Sequence, residues 1–101
     1  MIRHIVEFRL AATEPAQRAT DAAVIRESLT ALVGVIPGLI GMTVAPDLGL
    51  VDGHWDVVLV SDHDDNAALE AYQAHPAHKE AAARVSEVVT DRAIVDFEVA
   101  G

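Results

Sequence analysis

The first ten residues alternate between two sets of side chains with a period of two, which is typical of a β-strand. One face of the predicted strand carries Ile2, His4, Val6 and Phe8, and the other carries Arg3, Ile5, Glu7 and Arg9. His4 is therefore expected to lie among apolar neighbours, where a histidine is more often a satisfied core residue than a catalyst.

Apolar residues then recur at helical spacing from Ala16 to about Val35. Thr13-Glu14-Pro15 precedes this segment and is typical of a helix start, because it combines a capping-type residue, an acid and a proline. Pro37-Gly38 is expected to end the helix and turn the chain. The predicted buried stripe consists of Val24, Leu29, Leu32 and Ile36.

Three further segments are predicted to be strands. The first runs from Leu39 to Val44. The second, Trp55 to Val60, is a nearly continuous apolar run, which predicts a strand that is buried on both faces and central in the sheet. The third closes the chain from Thr90 to Val99; there Val95, Phe97 and Val99 alternate with Asp96 and Glu98.

The region between the second and third of these strands is predicted to be helical. Asp62-His63-Asp64-Asp65 is interpreted as a solvated loop that caps the next helix, Asn66 to Ala74. Pro76 lacks a backbone donor and disfavours a helical conformation in the residue before it, so this helix should stop there. A second helix is expected from Pro76 to about Val88.

The order strand, helix, strand, strand, helix pair, strand predicts an α+β domain with the ferredoxin-like split β-α-β arrangement and a four-stranded antiparallel sheet. We expect residues 1–101 to form this single domain. Its helices would cover one face of the sheet. Because the other face also carries apolar residues, we expect two chains to press these faces together as a homodimer that forms an α/β barrel.

Composition excludes several classes of function. Seven basic and sixteen acidic residues give a net charge of −9, which repels nucleic acids and anionic lipid. The absence of cysteine excludes disulfides, thiolate nucleophiles and cysteine metal sites. No leader-like start and no long apolar run is present, so we expect a cytoplasmic protein with neither nucleic acid nor membrane as a partner.

The candidate chemistry is concentrated around Pro76. His78 would lie in the first turn of the second helix, where the positive helix end favours a neutral ring that can accept a proton. Tyr72, one turn before the break, could donate a hydrogen bond to a developing enolate oxygen. The alternative is structural: His78 would cap the helix or bond the sheet, and Tyr72 would be an aromatic residue at the edge of the core.

The histidines do not form a convincing metal site. His75 and His78 are three residues apart, but zinc needs three or four ligands in tetrahedral reach, and His4 and His63 have no spacing that supplies them. His75 fits a hinge or N-cap position better. The sequence therefore predicts neither a metal nor a cofactor.

Several motifs resemble the stress-responsive dimeric α/β-barrel (Dabb) family. They are Ile2-Arg3-His4-Ile5-Val6, Ile36-Pro37-Gly38, Trp55-Asp56 and, the most specific, Tyr72-Gln73-Ala74-His75-Pro76-Ala77-His78. The resemblance implies a homodimeric barrel. The last motif is similar to that of a plant member, olivetolic acid cyclase, which closes a polyketide ring by aldol condensation without a cofactor. This similarity implies catalytic roles for Tyr72 and His78 and a pocket role for His4.

The first functional hypothesis is thus a dimeric barrel that binds a small, mostly apolar carbonyl compound, as a cofactor-free cyclase or lyase. Tyr72 and His78 would be catalytic, and His4 and His75 would bind substrate. The low aromatic content, 4%, argues against a long-chain substrate. Two alternatives stay open: a non-enzymatic stress or assembly protein, and a cofactor-free or haem-dependent monooxygenase.

Overall fold

The computed structural model describes residues 1–100, so Gly101 of the predicted domain lies outside the described residues. The elements follow the predicted order. They are β1 (Ile2–Leu10), α1 (Pro15–Thr30), β2 (Leu39–Pro46), β3 (Val57–His63), α2 (Asn66–Ala74), α3 (Pro76–Ser86) and β4 (Val89–Glu98).

The strands form one four-stranded sheet in the order β2-β3-β1-β4, and every neighbouring pair is antiparallel. This arrangement confirms the ferredoxin-like α+β fold and the central position of β3. Residues with buried side chains alternate along β1, so that His4, Val6 and Phe8 face the helices. The core lies between this sheet face and the three helices, with Ile25, Leu29, Leu69 and Val85 contributed from the helical side.

The first helix is shorter than predicted and is capped by a different residue. α1 ends at Thr30, because hydrogen bonds from Val33 to Thr30 and from Val35 to Leu32 close tighter turns after it. Glu14, rather than Thr13, is the N-cap. Val24 is only half-buried, whereas Ile25 is completely buried, so the predicted stripe was wrong at that position.

The largest correction concerns β3. The strand begins after Trp55 and continues through Ser61 and His63, both of which are completely buried. Residues 61–63 are therefore not part of a solvated loop. The run alternates instead of being buried on both faces: Val58, Val60 and Asp62 on the opposite face are half-buried. Asp64 and Asp65 lie in an exposed connection as predicted, and the Asp65 side chain accepts the Ala68 N–H at 2.8 Å and caps α2.

The face of the sheet away from the helices has an apolar centre. It carries Ile5, Val58, Val60, Val95 and Phe97. The β4 residues there are the most accessible, with Val95 62% and Phe97 43% exposed. We call this surface the open face. Among residues 1–100, no helix is long and apolar enough to cross a membrane, and the cytoplasmic location stays a prediction.

Candidate functional site

The break between α2 and α3 is built by His75 and Pro76. α2 ends at Ala74, and His75 adopts an extended conformation with φ −65° and ψ 136°. Its ring Nδ1 accepts the main-chain N–H of Ala77 at 3.0 Å, so His75 is the N-cap of α3. This bond occupies an N–H that a continuous helix would have donated to the carbonyl of Gln73.

The carbonyl of Gln73 is thereby left to accept from His78, whose Nδ1 lies 3.2 Å away. A carbonyl oxygen can only accept, so the hydrogen of the ring must be on Nδ1. Burial lowers the pKa of His78 despite the opposing effect of the Gln73 bond. His78 is therefore a neutral imidazole with its lone pair on Nε2, as a general base requires.

Tyr72 stacks against His78, with ring centroids 4.5 Å apart at 53°. The Tyr72 side chain is 1% exposed. Burial raises the pKa of Tyr72 to about 12, since a phenolate would lose its hydration there. The hydroxyl consequently keeps its hydrogen at neutral pH and acts as a donor beside the neutral histidine.

His4 is the third polar side chain, and a carboxylate orients it. Its Nδ1 lies 2.5 Å from Oδ1 of Asp96, which faces it across the β1–β4 ladder. The carboxylate accepts a hydrogen bond from Nδ1–H. This bond fixes the orientation of the ring, with Nε2 on the side away from Asp96. The ring centroid of His4 is 6.5 Å from that of Tyr72.

His63 lies behind these groups and was not recognised as a site residue in the sequence. Its ring is 4.8 Å from Tyr72 and 6.2 Å from His4. Nε2 is hydrogen-bonded to Ser61 Oγ at 2.9 Å, whereas the buried Nδ1 has no partner among the described residues. Burial, followed by the charge of His4, lowers the pKa of His63, so that this ring too is neutral.

Three of the four predicted site residues meet around one cavity of about 530 Å³ between the sheet and the helices. His4, Tyr72 and His78 line it, and His75 does not. Its apolar walls come from both layers: Val6, Phe8, Leu29, Leu59, Ala82, Val85, Val89 and Ile94. An apolar cavity with a few convergent polar groups is typical of a small-molecule site.

The polar groups can supply acid–base chemistry without further components. A neutral imidazole and a protonated phenol stand side by side next to apolar walls, where a hydrogen bond to a developing charge is stronger than in water. Within residues 1–100 no group of three or more histidine or acidic side chains is placed to hold a metal ion.

Comparison with known proteins identifies the family. A family model for the stress-responsive A/B barrel domain matches residues 2–99. The chain belongs to this family. The resemblance seen in the sequence motifs is thereby confirmed. No curated protein matches the chain.

Solved structures of this fold include two dimeric ferredoxin-like proteins of unknown function. The protein from Bacteroides fragilis is 26% identical, with a TM-score of 0.84 over 97% of this chain and 95% of that one. The protein from Thermobifida fusca is 34% identical, with a TM-score of 0.80 over 97% and 90%.

A more distant structure is similar in fold alone. The cofactor-independent oxygenase SnoaB from Streptomyces nogalater is 16% identical, with a TM-score of 0.76 over 99% of this chain and 93% of that one.

Proposed function

We propose that this stress-responsive A/B barrel protein binds a small, mostly apolar carbonyl compound in the cavity and catalyses its enolisation, as a cofactor-free cyclase or lyase. The observation that carries the proposal is the Tyr72–His78 pair, with rings 4.5 Å apart in the cavity wall. His78 is held in the tautomer of a base and Tyr72 in the protonated state of a donor.

In the proposed reaction, Nε2 of His78 removes a proton from the carbon beside the carbonyl group. The C–H electron pair moves into a new C=C bond, and the carbonyl oxygen becomes an enolate that accepts a hydrogen bond from Tyr72. In a ring closure, the enolate carbon attacks a second carbonyl of the same chain, and the new alkoxide takes the proton from His78. No oxidant or reductant is needed, so the mechanism requires no cofactor.

His4 and His75 have supporting roles in this proposal. His4 lies 6.5 Å from Tyr72 by ring centroids and positions the ligand from the sheet side, with Asp96 fixing its ring. His75 takes up the Ala77 N–H and so leaves the Gln73 carbonyl for His78. We therefore propose His75 as a positioning residue in place of the substrate contact suggested by the sequence.

The cavity also bears on the rival hypothesis of a non-enzymatic assembly protein. That hypothesis expects side chains to fill the region beside His78, whereas about 530 Å³ of space is present there. The similarity to SnoaB is at 16% identity and concerns the fold, and no feature of the cavity favours a haem or oxygenase function over acid–base chemistry.

We further propose a homodimer in which two open faces pack together. Val95 and Phe97 provide exposed apolar surface at the edge strand, and the two relatives from Bacteroides fragilis and Thermobifida fusca are dimeric. The cavity lies on the opposite side of the sheet from this face. The dimer would therefore leave the cavity accessible.

Binding of a simple ketone tests the location of the site. We expect 2-octanone to shift the NMR signals of the Tyr72 and His78 rings. Ala82 lines the cavity and Ala83 is its exposed neighbour on α3, so Ala82→Phe should abolish the shift and Ala83→Phe should keep it. If Ala82→Phe is folded and still gives the shift, the ligand does not occupy this cavity.

A further inference from the structure

One basic side chain at the cavity has no role in the proposed acid–base reaction. The exposed residues of the lining mark its mouth, and all except Ile94 are polar: Gln73, Ser86, Thr90, Asp91 and Arg92. The walls behind them are apolar except at His4, Tyr72 and His78. A ligand in this space would therefore place its apolar chain inside and a charged group at the mouth, where Arg92 is the only arginine or lysine of the lining.

The strand register places Arg92 on the cavity side of the sheet. Arg92 is opposite Phe8, just as Asp96 is opposite His4. Because side chains alternate along a strand, Arg92, Ile94 and Asp96 all point to the face that the helices cover. Four residues at a rise of 3.2–3.4 Å place Arg92 about 13 Å along the strand from Asp96. The polar groups on this face therefore lie at two levels of the strand, His4 with Asp96 at one and Arg92 at the other.

Arg92 is also available to a ligand. Three other arginines pair with carboxylates, Arg3 with Asp62, Arg18 with Asp56 and Arg84 with Glu80, and Arg9 stacks on Trp55 at 4.1 Å. No carboxylate pairs with the Arg92 guanidinium within residues 1–100. The adjacent Asp91 carboxylate instead accepts the main-chain N–H of Arg92 at 2.8 Å.

The guanidinium also acts on the base. Burial is the largest cause of the lowered pKa of His78, and the charges of His4 and, to a smaller extent, Arg92 add to it. An anion bound to Arg92 would cancel this part of the effect and make His78 a stronger base. A negatively charged ligand would thus bind Arg92 at the mouth and, by doing so, raise the basicity of His78, which acts on the carbonyl group of the ligand.

We propose that Arg92 is a specificity-determining residue that binds the carboxylate of a medium-chain keto acid whose carbonyl group lies at Tyr72 and His78. The proposal rests on the proposed function, since it takes the cavity as the ligand site. It adds the substrate class: an apolar chain, a ketone at the inner end and a carboxylate at the mouth. A guanidinium is suited to this role because its fork of donors matches a carboxylate.

The test compares two probes that differ only in charge, 7-oxooctanoate and 7-oxooctanamide, on the intact protein. We expect the acid to bind about 10-fold more tightly or better, since charge-assisted hydrogen bonds are stronger than neutral ones. Arg92→Gln should remove the preference by weakening binding of the acid far more than binding of the amide. Arg26→Gln is the matched control, because Arg26 is exposed on α1 away from this cavity, and it should keep the preference.

The outcomes separate this inference from the proposed function. Equal affinity of the native protein for acid and amide, or a preference that survives Arg92→Gln, would overturn the role of Arg92 and leave the proposed function standing. An Arg92-dependent preference without any α-proton exchange would support the role of Arg92 and contradict the proposed catalysis. If neither probe binds, both proposals are wrong.

Discussion

His78 donates its Nδ1–H to the main-chain carbonyl of Gln73, an acceptor that a continuous helix would have given to Ala77. The bond exists because His75 captures the Ala77 N–H at the start of α3. The two histidines of the His75-Pro76-Ala77-His78 motif thus have different tasks. The first shapes the backbone, and the second lines the cavity with its Nε2 free of the Gln73 bond.

Removing the His75 side chain, which caps α3, should therefore change the environment of His78 although His78 itself is not substituted. In His75→Ala the Ala77 N–H loses its acceptor and competes for the Gln73 carbonyl. We therefore expect the ¹⁵N signals of the His78 ring to shift, and the free energy of unfolding to fall by about 1 kcal/mol. Asp65→Ala removes the equivalent cap of α2 and should cost a similar amount with no change at His78. Equal effects of both variants on the His78 ring would show that the His75 cap does not determine the hydrogen bond of His78.

Asp96 is expected to matter through His4. Asp96→Ala frees the ring that the carboxylate orients, so the ¹⁵N signals of the His4 ring should shift and ketone exchange should fall roughly 10- to 100-fold. Glu98→Ala is the matched control, because Glu98 is the next carboxylate on the same side of β4. An unchanged His4 spectrum in Asp96→Ala would show that the carboxylate does not set the tautomer.

His63 makes stability depend on pH. Its pKa is lowered in the folded state, so the unfolded chain binds the proton more readily. Stability should be full above pH 6.5, begin to fall as the pH drops below that ordinary value, and stop falling once the pH is below the folded-state pKa. The slope is at most about 1.4 kcal/mol per pH unit for each such histidine.

Denaturant unfolding between pH 4 and pH 8 checks this expectation. His63→Phe should remove part of the acid loss, and the remainder should come from His78, whose pKa is also lowered. His54→Gln, at an exposed histidine on the β2–β3 loop, should leave the acid loss in place. A native-like pH profile in His63→Phe would show that protonation of His63 does not drive the loss.

The open face offers a test of the dimer. Val95→Glu would bury an unpaired charge between two packed sheets and should convert the dimer to monomers in analytical ultracentrifugation. Leu48→Glu places the same charge on a loop residue that is 85% exposed and should leave the dimer intact. If Leu48→Glu dissociates the protein and Val95→Glu does not, the loop forms the interface in place of the sheet.

Local patterns were sufficient for the element order and for the helix break. The period of two predicted that His4 lies on an apolar face of β1. The same period predicted that Asp96 lies on the opposite face of β4 from Val95 and Phe97. Pro76 was enough to predict where α2 stops and α3 begins, because its effects act on the neighbouring residues. These features depend on interactions that are close in the chain.

The missing parts of the site depend on distant pairing. The bond between His4 and Asp96 joins residues 92 positions apart, and only the strand register brings them together. His63 was assigned to a loop because acidic neighbours surround it, although the alternation of Val57, Leu59, Ser61 and His63 continues the strand. Extending the period of two beyond Val60, the last apolar residue of the strand, would have predicted that His63 points toward the core.

The rate of α-proton exchange tests the central claim most directly. In D₂O, followed by NMR, the native protein should accelerate deuterium incorporation beside the carbonyl group of 2-octanone. His78→Gln and Tyr72→Phe should each lower that rate about 100-fold, and His54→Gln should match the native rate. Exchange that proceeds at the native rate in folded His78→Gln would contradict the account.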